Sequence, residues 1–587
     1  MLLSTEPRSG FSLFAIEAFL TAIILLIPLA WPTLGFPWFS RVERIFARLA
    51  LRKRLAVVIV GLSAFLLRLA ILPICPIPLP FVTDDFSFLL AADTFLHGRL
   101  TNPTPAMWVH FETIHVSMQP TYMSMYFPAQ GLLLAAGKLL FGDPWYGLLI
   151  TSALMCAALC WMLQAWLPPK WALLGGLMAV LHLGLFSYWI NTYHAAGTIT
   201  ALGGALILGA LPRFKKHPRH LYGLLMGIGV VFIALARPYE GALLCLPVAI
   251  YLGHWLCFGK NRPSLAATLR LMAPPLTLIL AAAAWLGYYD YRAFGSPLTL
   301  PYTVNRTTYA MAPYFVWQSK RPEPAYRHES LRHFYYVAEI DYFNEIHDPI
   351  RYLPYTLAKA GDGVLFFAGF ALLIPLIMTR RVILDRRVRF LVLCLLVLMA
   401  GMAIEIFLIP HYLAPFTAVF YVLGLQAMRH LRVWKLEGKP VGLAWTRLAV
   451  TLCVVMAGLR LCAGPLHFEF KIFPPFGINV EWYGPGRFGV DRDRIQRELE
   501  RLPGTQLVFV NYSADHIAFD EWVYNSADID ASKVIWARDM DAVSNLELIR
   551  HYKDRKIWLV QRGRDSVAIS PYSMTSQSAT NLQEANP

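Results

Sequence analysis

Apolar runs of bilayer length follow one another along most of the chain, and the polar positions are gathered between them. A helix that crosses the hydrocarbon core needs about 20 mostly apolar residues. Runs of this kind stand at 11-31, 55-72, 146-167, 172-190, 194-212, 221-236, 240-257, 268-290, 363-378, 390-409, 412-428 and 448-464, which predicts about twelve spans in a polytopic α-helical membrane protein. The first run exceeds the roughly 7 to 15 apolar residues of a secretory leader and no small-residue cleavage site follows, so it reads as a span.

Loop charge sets the orientation, because Lys and Arg near span ends are kept on the cytoplasmic side. The loops at 41-54 (RVERIFARLALRKR), 213-220 (RFKKHPRH), 379-389 (RRVILDRRVRF) and 429-447 are basic and are placed inside. That assignment requires Ala129 to Phe141 not to span. This run is short, contains Gln130 and Lys138, and reads as an interfacial helix opened by Pro128 and closed by Gly142. The outward segments are then 73-145, Asn191-His194, Arg237-Glu240, 291-362, Pro410-Tyr412 and everything after about 465.

Beyond the last run the pattern changes. Between 491 and 562, amphipathic stretches (RIQRELERL, NLELIRHY) alternate with β-rich ones (QLVFVNY, SKVIWARDM, KIWLVQ). This predicts a small α/β domain. It lacks a Gly-rich phosphate loop and is assigned no catalysis. The chain divides into an N-terminal span with a basic cytoplasmic loop (1-54), a membrane core (55-465), a periplasmic α/β domain (466-570) and a polar tail (571-587) expected to be disordered.

Charged residues make up 15% of the chain, against roughly 25% in soluble domains. The net charge of +15 sits mostly in the short basic loops, where it orients the chain and gives no reason to expect nucleic acid. The eight cysteines lie in or beside apolar runs and read as small packing residues.

Candidate chemistry gathers in the first outward loop. Thr83 can cap a helix that carries Asp84 and Asp85 in its first turn and ends at Gly98. Acidic residues there also have a plain reading, as complements to the helix dipole. What sets the pair apart is the sequel: Arg99, His110, Glu112, His115 and Gln119, interleaved with Trp108, Phe111, Tyr122 and Tyr126. On the same face stand Arg237, beside Tyr239 and Glu240, and the turn histidines His194 and His411. These too have structural alternatives, as a snorkelling arginine paired with Glu240 and as boundary histidines. The loop 291-362, with Tyr302, Asn305, Arg306 and Tyr309, is too long for a plain connection and suggests a lid or acceptor surface.

A span ending in Pro and Phe, an acidic pair opening a surface helix, an aromatic loop, and a Pro-led second surface helix ending Leu-Phe-Gly resemble the GT-C glycosyltransferases. The likeness is to their polyprenyl-phosphate-sugar-dependent group, the protein O-mannosyltransferase and lipid A aminoarabinose transferase type (glycosyltransferase family 39-like). It covers roughly 55-465 and extends to ARPYEGALL (236-244) and IPHYLAPF (409-416). It departs at Met125-Tyr126-Phe127-Pro128, where many relatives carry Lys or His before a double proline. No phosphate-binding lysine is carried over there.

The resemblance implies a glycosyltransferase of the bacterial inner membrane with its site facing the periplasm. It would move a sugar, with inversion, from a polyprenyl-phosphate donor in the lipid bilayer to a glycan, lipid or protein acceptor. Asp84 is the candidate base, with Asp85 second. Arg237 is the candidate partner of the phosphate, and Glu240, Glu112, His115, Tyr126, His194, His411, Tyr412 and Asn305 complete the substrate site. A divalent cation (Mg2+ or Mn2+) held by Asp84, Glu112 and His115 is the alternative to a metal-free site. The competing readings are a polytopic transporter or lipid-linked sugar flippase, and a scaffold presenting the C-terminal domain. Against transport, the spans hold few polar groups beyond Arg68, Gln164, His182 and Glu405.

Overall fold

The computed structural model describes residues 13–463, 489–517 and 519–573. Among them, six helices are long and apolar enough to cross a membrane: α1 (Leu13–Ala30), then Trp145–Trp166, Gly197–Lys216, Pro238–Phe258, Leu265–Phe294 and Val441–Leu461. All six fall on predicted spans, and the protein is a multi-pass membrane protein. A bent pair, Tyr352–Ala368 and Ala371–Leu384, makes a possible total of seven where the sequence pattern predicts about twelve.

Of the other predicted spans, 55-72 falls on an unbroken 18-residue helix, Lys53–Ala70, that carries Lys53, Arg54 and Arg68, and the rest are shorter or broken. His220–Ala234 and Arg389–Ile404 are shorter apolar helices. The run at 172-190 is not one helix, since Pro169–Ala179 opens into a π turn at Val180–Gly184 and a short helix at Tyr188–Asn191. The run at 363-378 lies across the 109° bend of the helix pair. A bend frees backbone N–H groups, which a membrane interior cannot hydrate. Glu17 of α1 takes those of Phe370 (3.1 Å) and Ala371 (3.5 Å), and Arg460 pairs with Glu17 at 3.4 Å. Hydropathy counting passes over both charges.

Between α1 and the second long element lie α2 (Phe36–Leu51) and α3 (Lys53–Ala70). The acidic segment forms α4 (Thr83–Leu96), and the interfacial candidate forms α5 (Pro128–Phe141). Pro128 begins α5, and Gly142 ends it at φ 84° in the left-handed region that glycine adopts without strain. The two helices touch closely, because a β-carbon on Gly131 would lie 2.7 Å from that of Ala91. Thr83 is not the cap of α4, as its hydroxyl is turned to Asp84 and His115. Val82 is the cap position, and Asp85 accepts from the N–H groups of Phe81 (3.2 Å) and Val82 (3.4 Å).

The C-terminal part is a small α/β unit. Strands β1 (Gln506–Tyr512), β2 (Val534–Arg538), β3 (Lys556–Arg562) and β4 (Val567–Pro571) are ordered β2-β1-β3-β4. β1 pairs parallel with β2 and β3, with Val508 opposite Trp536 and Trp558, while β4 runs antiparallel to β3. Helices Val490–Arg501 and Ala542–His551 accompany the sheet. The sequence pattern misses β4, and the expected start of the tail at 571 cuts into it; Tyr572 still donates to the Ile557 carbonyl at 3.0 Å. The expected tail beyond 573 and the expected domain start at 466 lie outside the described residues.

The sheet does not stand apart from the first loop. Phe86, Leu90, Phe111, Val116 and Tyr122 form one apolar cluster with Leu507, Phe509, Tyr524 and Ile535. Tyr524 stacks on Phe86 with ring centroids 4.4 Å apart and donates to the Ile114 carbonyl at 3.1 Å.

Candidate functional site

The first turn of α4 presents its two carboxylates to different surroundings, because successive helical residues point about 100° apart. Asp84 keeps a third of its side chain exposed, while Asp85 is fully buried. Asp84 accepts from the hydroxyls of Tyr126 and Thr83, the latter at 3.2 Å. His115 Nδ1 lies 3.0 Å from the Thr83 hydroxyl, 3.3 Å from that of Tyr126 and 3.5 Å from Asp84 Oδ2. Both hydroxyls donate to Asp84, so the hydrogen between them and the imidazole belongs to Nδ1. Burial pushes the Asp84 carboxyl up, but the imidazoles of His115 and His194 and the Tyr126 hydroxyl outweigh it and hold Asp84 well below the usual carboxylate range.

His115 occupies the left-handed region at φ 61°, which a side chain rarely adopts and which costs on the order of 1 kcal/mol or more. Its backbone is fixed on both sides. The N–H donates to the Tyr335 hydroxyl (3.2 Å), and the carbonyl accepts from Ser87 Oγ (2.7 Å) and the Met125 N–H (3.2 Å).

Asp85 is spent on structure. Oδ1 accepts from the N–H groups of Tyr193 (2.8 Å) and His194 (2.9 Å) and from His194 Nδ1 (2.9 Å), while Oδ2 takes the two N–H groups before α4. Neither oxygen is left for a substrate, so the geometry does not favour Asp85 as a second base; it ties α4 to the turn before helix Gly197–Lys216. Burial lowers the His194 imidazole, but Asp85 and Asp84 together raise it above its ordinary value.

Arg237, at the start of helix Pro238–Phe258, is held rather than snorkelling freely. Nη1 donates to Glu240 (3.0 Å), Nε to the Ala195 carbonyl (3.3 Å), and the guanidinium lies 4.1 Å over the Tyr412 ring. Among the described residues, Nη2 has no hydrogen-bond partner. His411 Nδ1 meets the Tyr188 hydroxyl at 2.9 Å, and its ring stands edge-on to His194 at 5.9 Å. Burial, with Arg237 and His194 nearby, pushes His411 well below the ordinary histidine value, so it is neutral. The turn bearing His411 sits directly on Gly204, whose missing side chain admits the Pro415 carbonyl. Tyr302 closes the group, its ring 5.4 Å from those of Tyr126 and Phe127.

Glu112 and Asn305 lie elsewhere. Glu112 Oε1 accepts from Tyr309 (2.8 Å) and Arg327 (3.4 Å), and its Oε2 is 3.5 Å from His328 Nε2. Burial raises the Glu112 carboxyl. Among the described residues no three His, Cys, Asp or Glu side chains group as a cation site, so the trio Asp84, Glu112 and His115 does not fit a shared divalent ion. Asn305 donates to the Val116 carbonyl (3.4 Å) and accepts from Tyr335 (3.3 Å), and so acts on His115 through that tyrosine. Of the long-loop residues singled out in the sequence, Tyr302 reaches the Asp84 group, Tyr309 goes to Glu112, and Arg306 pairs with Glu339 at 2.7 Å.

Two features have no clear sequence signal. A cavity of about 380 Å³, lined mainly by apolar side chains from Met178 to Met456, shares the 402–413 segment with the His411 turn. Lys359 lines it and donates to the carbonyls of Glu405 (2.7 Å) and Met402 (3.4 Å). Tyr188, which orients His411, is hidden by its setting in a run that reads as an unbroken span.

No protein-family model and no curated protein matches the sequence. Among solved structures, the chain is similar to ArnT from Cupriavidus metallidurans in the apo state, at 12% identity and TM-score 0.48, over 90% of this chain and 94% of that one. The same enzyme bound to undecaprenyl phosphate gives 11% identity and TM-score 0.43 over the same shares. The Archaeoglobus fulgidus oligosaccharyltransferase in complex with Zn and sulfate gives 11% identity and TM-score 0.48, over 86% of this chain and 67% of that one. These neighbours are GT-C-fold glycosyltransferases.

Proposed function

We propose that the protein is a membrane-embedded glycosyltransferase that moves a sugar from a polyprenyl-phosphate donor to a hydroxyl or amine of a glycan, lipid or protein acceptor at the periplasmic face of a bacterial inner membrane. One observation carries the reading. A partly exposed, ionised carboxylate, Asp84, and a guanidinium with an unused Nη2, Arg237, share His194 and Tyr412 as electrostatic neighbours. Transfer from a lipid phosphate needs such a pair: an anion to take the acceptor proton, and a cation for the charge that gathers on the departing phosphate. The apolar cavity that shares the 402–413 segment with the His411 turn supports an isoprenoid donor, since it offers the tail a place out of water.

In this reaction the acceptor oxygen or nitrogen attacks the anomeric carbon as its proton passes to Asp84, and the carbon–phosphate-oxygen bond breaks toward Arg237. Asp84 is a weak base, so it takes the proton late, once the bond to carbon has made the acceptor acidic. Tyr126 and His115 keep the carboxylate in place. With Asp85 fully occupied, one carboxylate is available, which favours a single inverting displacement over a covalent intermediate. No step is routed through a metal.

The test is transfer of labelled sugar from a polyprenyl-phosphate donor by the reconstituted protein, with Asp84→Asn as the comparison. Transfer that depends on Asp84 supports the proposal. Flux of labelled lipid across the bilayer without an acceptor, unaffected by Asp84→Asn, would favour the flippase reading.

A further inference from the structure

Ahead of the Asp84 group in the chain, α2 carries three distinct faces. Glu43 bonds Arg432 (2.8 Å) and Arg447 (2.9 Å), and Ala50 is buried, so one face is pinned to the membrane core. Arg447 also lies over the rings of Phe36 and Phe39, at 4.9 and 5.3 Å. The helix therefore cannot roll to hide its second face, where Trp38 (63%), Val42 (44%) and Ile45 (63%) stand exposed at helical spacing. Beside that row runs a third, of Arg41, Arg44, Arg48 and Arg52, all exposed. None of these four arginines makes a hydrogen bond or ion pair among the described residues.

We infer that α2 is a lipid-recognition helix, which seats its Trp38–Ile45 row in a bilayer surface and uses its arginine row to select anionic phospholipid headgroups. Unpaired cations beside an immovable apolar row match the chemistry of such a surface, where headgroup phosphates stand directly above acyl chains. The neighbouring elements point to the same occupant. α1, a candidate span, ends at Ala30, with five residues between it and the start of α2 at Phe36, which leaves α2 no reach beyond the bilayer boundary. The inference rests on the chain spanning a membrane and is independent of the transfer reaction.

Native mass spectrometry of the full-length protein in detergent, with equal amounts of phosphatidylglycerol and phosphatidylcholine, tests it. The wild type should retain phosphatidylglycerol in preference. Each arginine near an anionic surface contributes about fivefold, so the triple variant Arg41→Gln, Arg44→Gln, Arg48→Gln should lower that preference by at least about tenfold. Its thermal midpoint should not move, because none of the three is paired. The double variant Trp38→Ser, Ile45→Ser should retain less of both lipids. Equal retention by the wild type, or an unchanged preference in the triple variant, overturns the inference. So does a dimer mass that the double variant abolishes, which would give the row to a second copy of the chain.

Discussion

Arg237 and Arg538, with side chains 10% and 3% exposed, are both paired with glutamate, yet their surroundings use them differently. Arg538, at the end of β2, gives Nε to the Glu112 carbonyl (2.6 Å), Nη1 to Ser330 (2.6 Å) and Nη2 to Glu521 (2.8 Å). Arg237 gives Nε and Nη1 and keeps Nη2. The acidic pair repeats the contrast one residue apart, with Asp85 closed and Asp84 open. A saturated charge can only hold the fold together, whereas one with an unused group can still meet a ligand. Pairing with glutamate is common to the two arginines, and what separates them is the number of donors left over; in the acidic pair exposure differs as well, a third of Asp84 against none of Asp85.

The strongest way to break this comparison is at Asp84. Asp84→Asn keeps the shape and removes the base, so transfer should fall about 100- to 10,000-fold while the thermal midpoint stays near that of the wild type. Near-normal transfer would remove Asp84 from the reaction. Arg538→Met should do the reverse, since it leaves Glu521 buried without its partner. A loss of about 3 to 5 kcal/mol in unfolding free energy is expected, read by denaturant or thermal unfolding in detergent; a variant as stable as the wild type would show that the closed cluster holds nothing. Arg237→Gln should slow transfer about 100- to 1,000-fold, measured at saturating donor, and an unchanged rate would assign the phosphate to another group.

The smallest effect is a pH dependence. The folded His194 value is raised, so its pairing with Asp85 stabilises the protein fully below the ordinary value near 6.5 and is lost as pH rises through the raised one. The depressed Asp84 value has the opposite sign, so its contribution stays in place over this range and is lost only in strong acid. A thermal midpoint that drops by a few degrees between pH 6.5 and 9, with the drop absent in His194→Gln, is the expected result. An equal drop in both proteins would remove His194 as its source.

Much of the fold was legible where backbone chemistry punctuates the chain. Pro128 and Gly142 bound α5, Gly98 follows the end of α4, and QLVFVNY is β1 over its whole length. Hydropathy gives no sign of where a helix is interrupted, because the bend near Gly369 and the π turn at Val180–Gly184 are set by tertiary packing and leave composition unchanged. The acidic pair was legible as a pair; which member faces outward was not, since that depends on a turn more than 100 residues away at Tyr193 and His194. Glu112 drew attention by its charge beside aromatics, but its partners Tyr309, Arg327 and His328 lie in the long loop, at a distance no local spacing encodes.

The core shared by α4 and the sheet also imposes an order of assembly. Tyr524 meets the Ile114 carbonyl across 410 positions of chain, and the Ala527 N–H meets Asp93 across 434. At the roughly 5 to 20 residues per second of protein synthesis, the acidic helix therefore waits about 20 to 90 s for the segment that completes its packing. Throughout that interval Phe86 and Leu90 have no partner from the sheet, so α4 is among the first elements made and among the last to be fully packed.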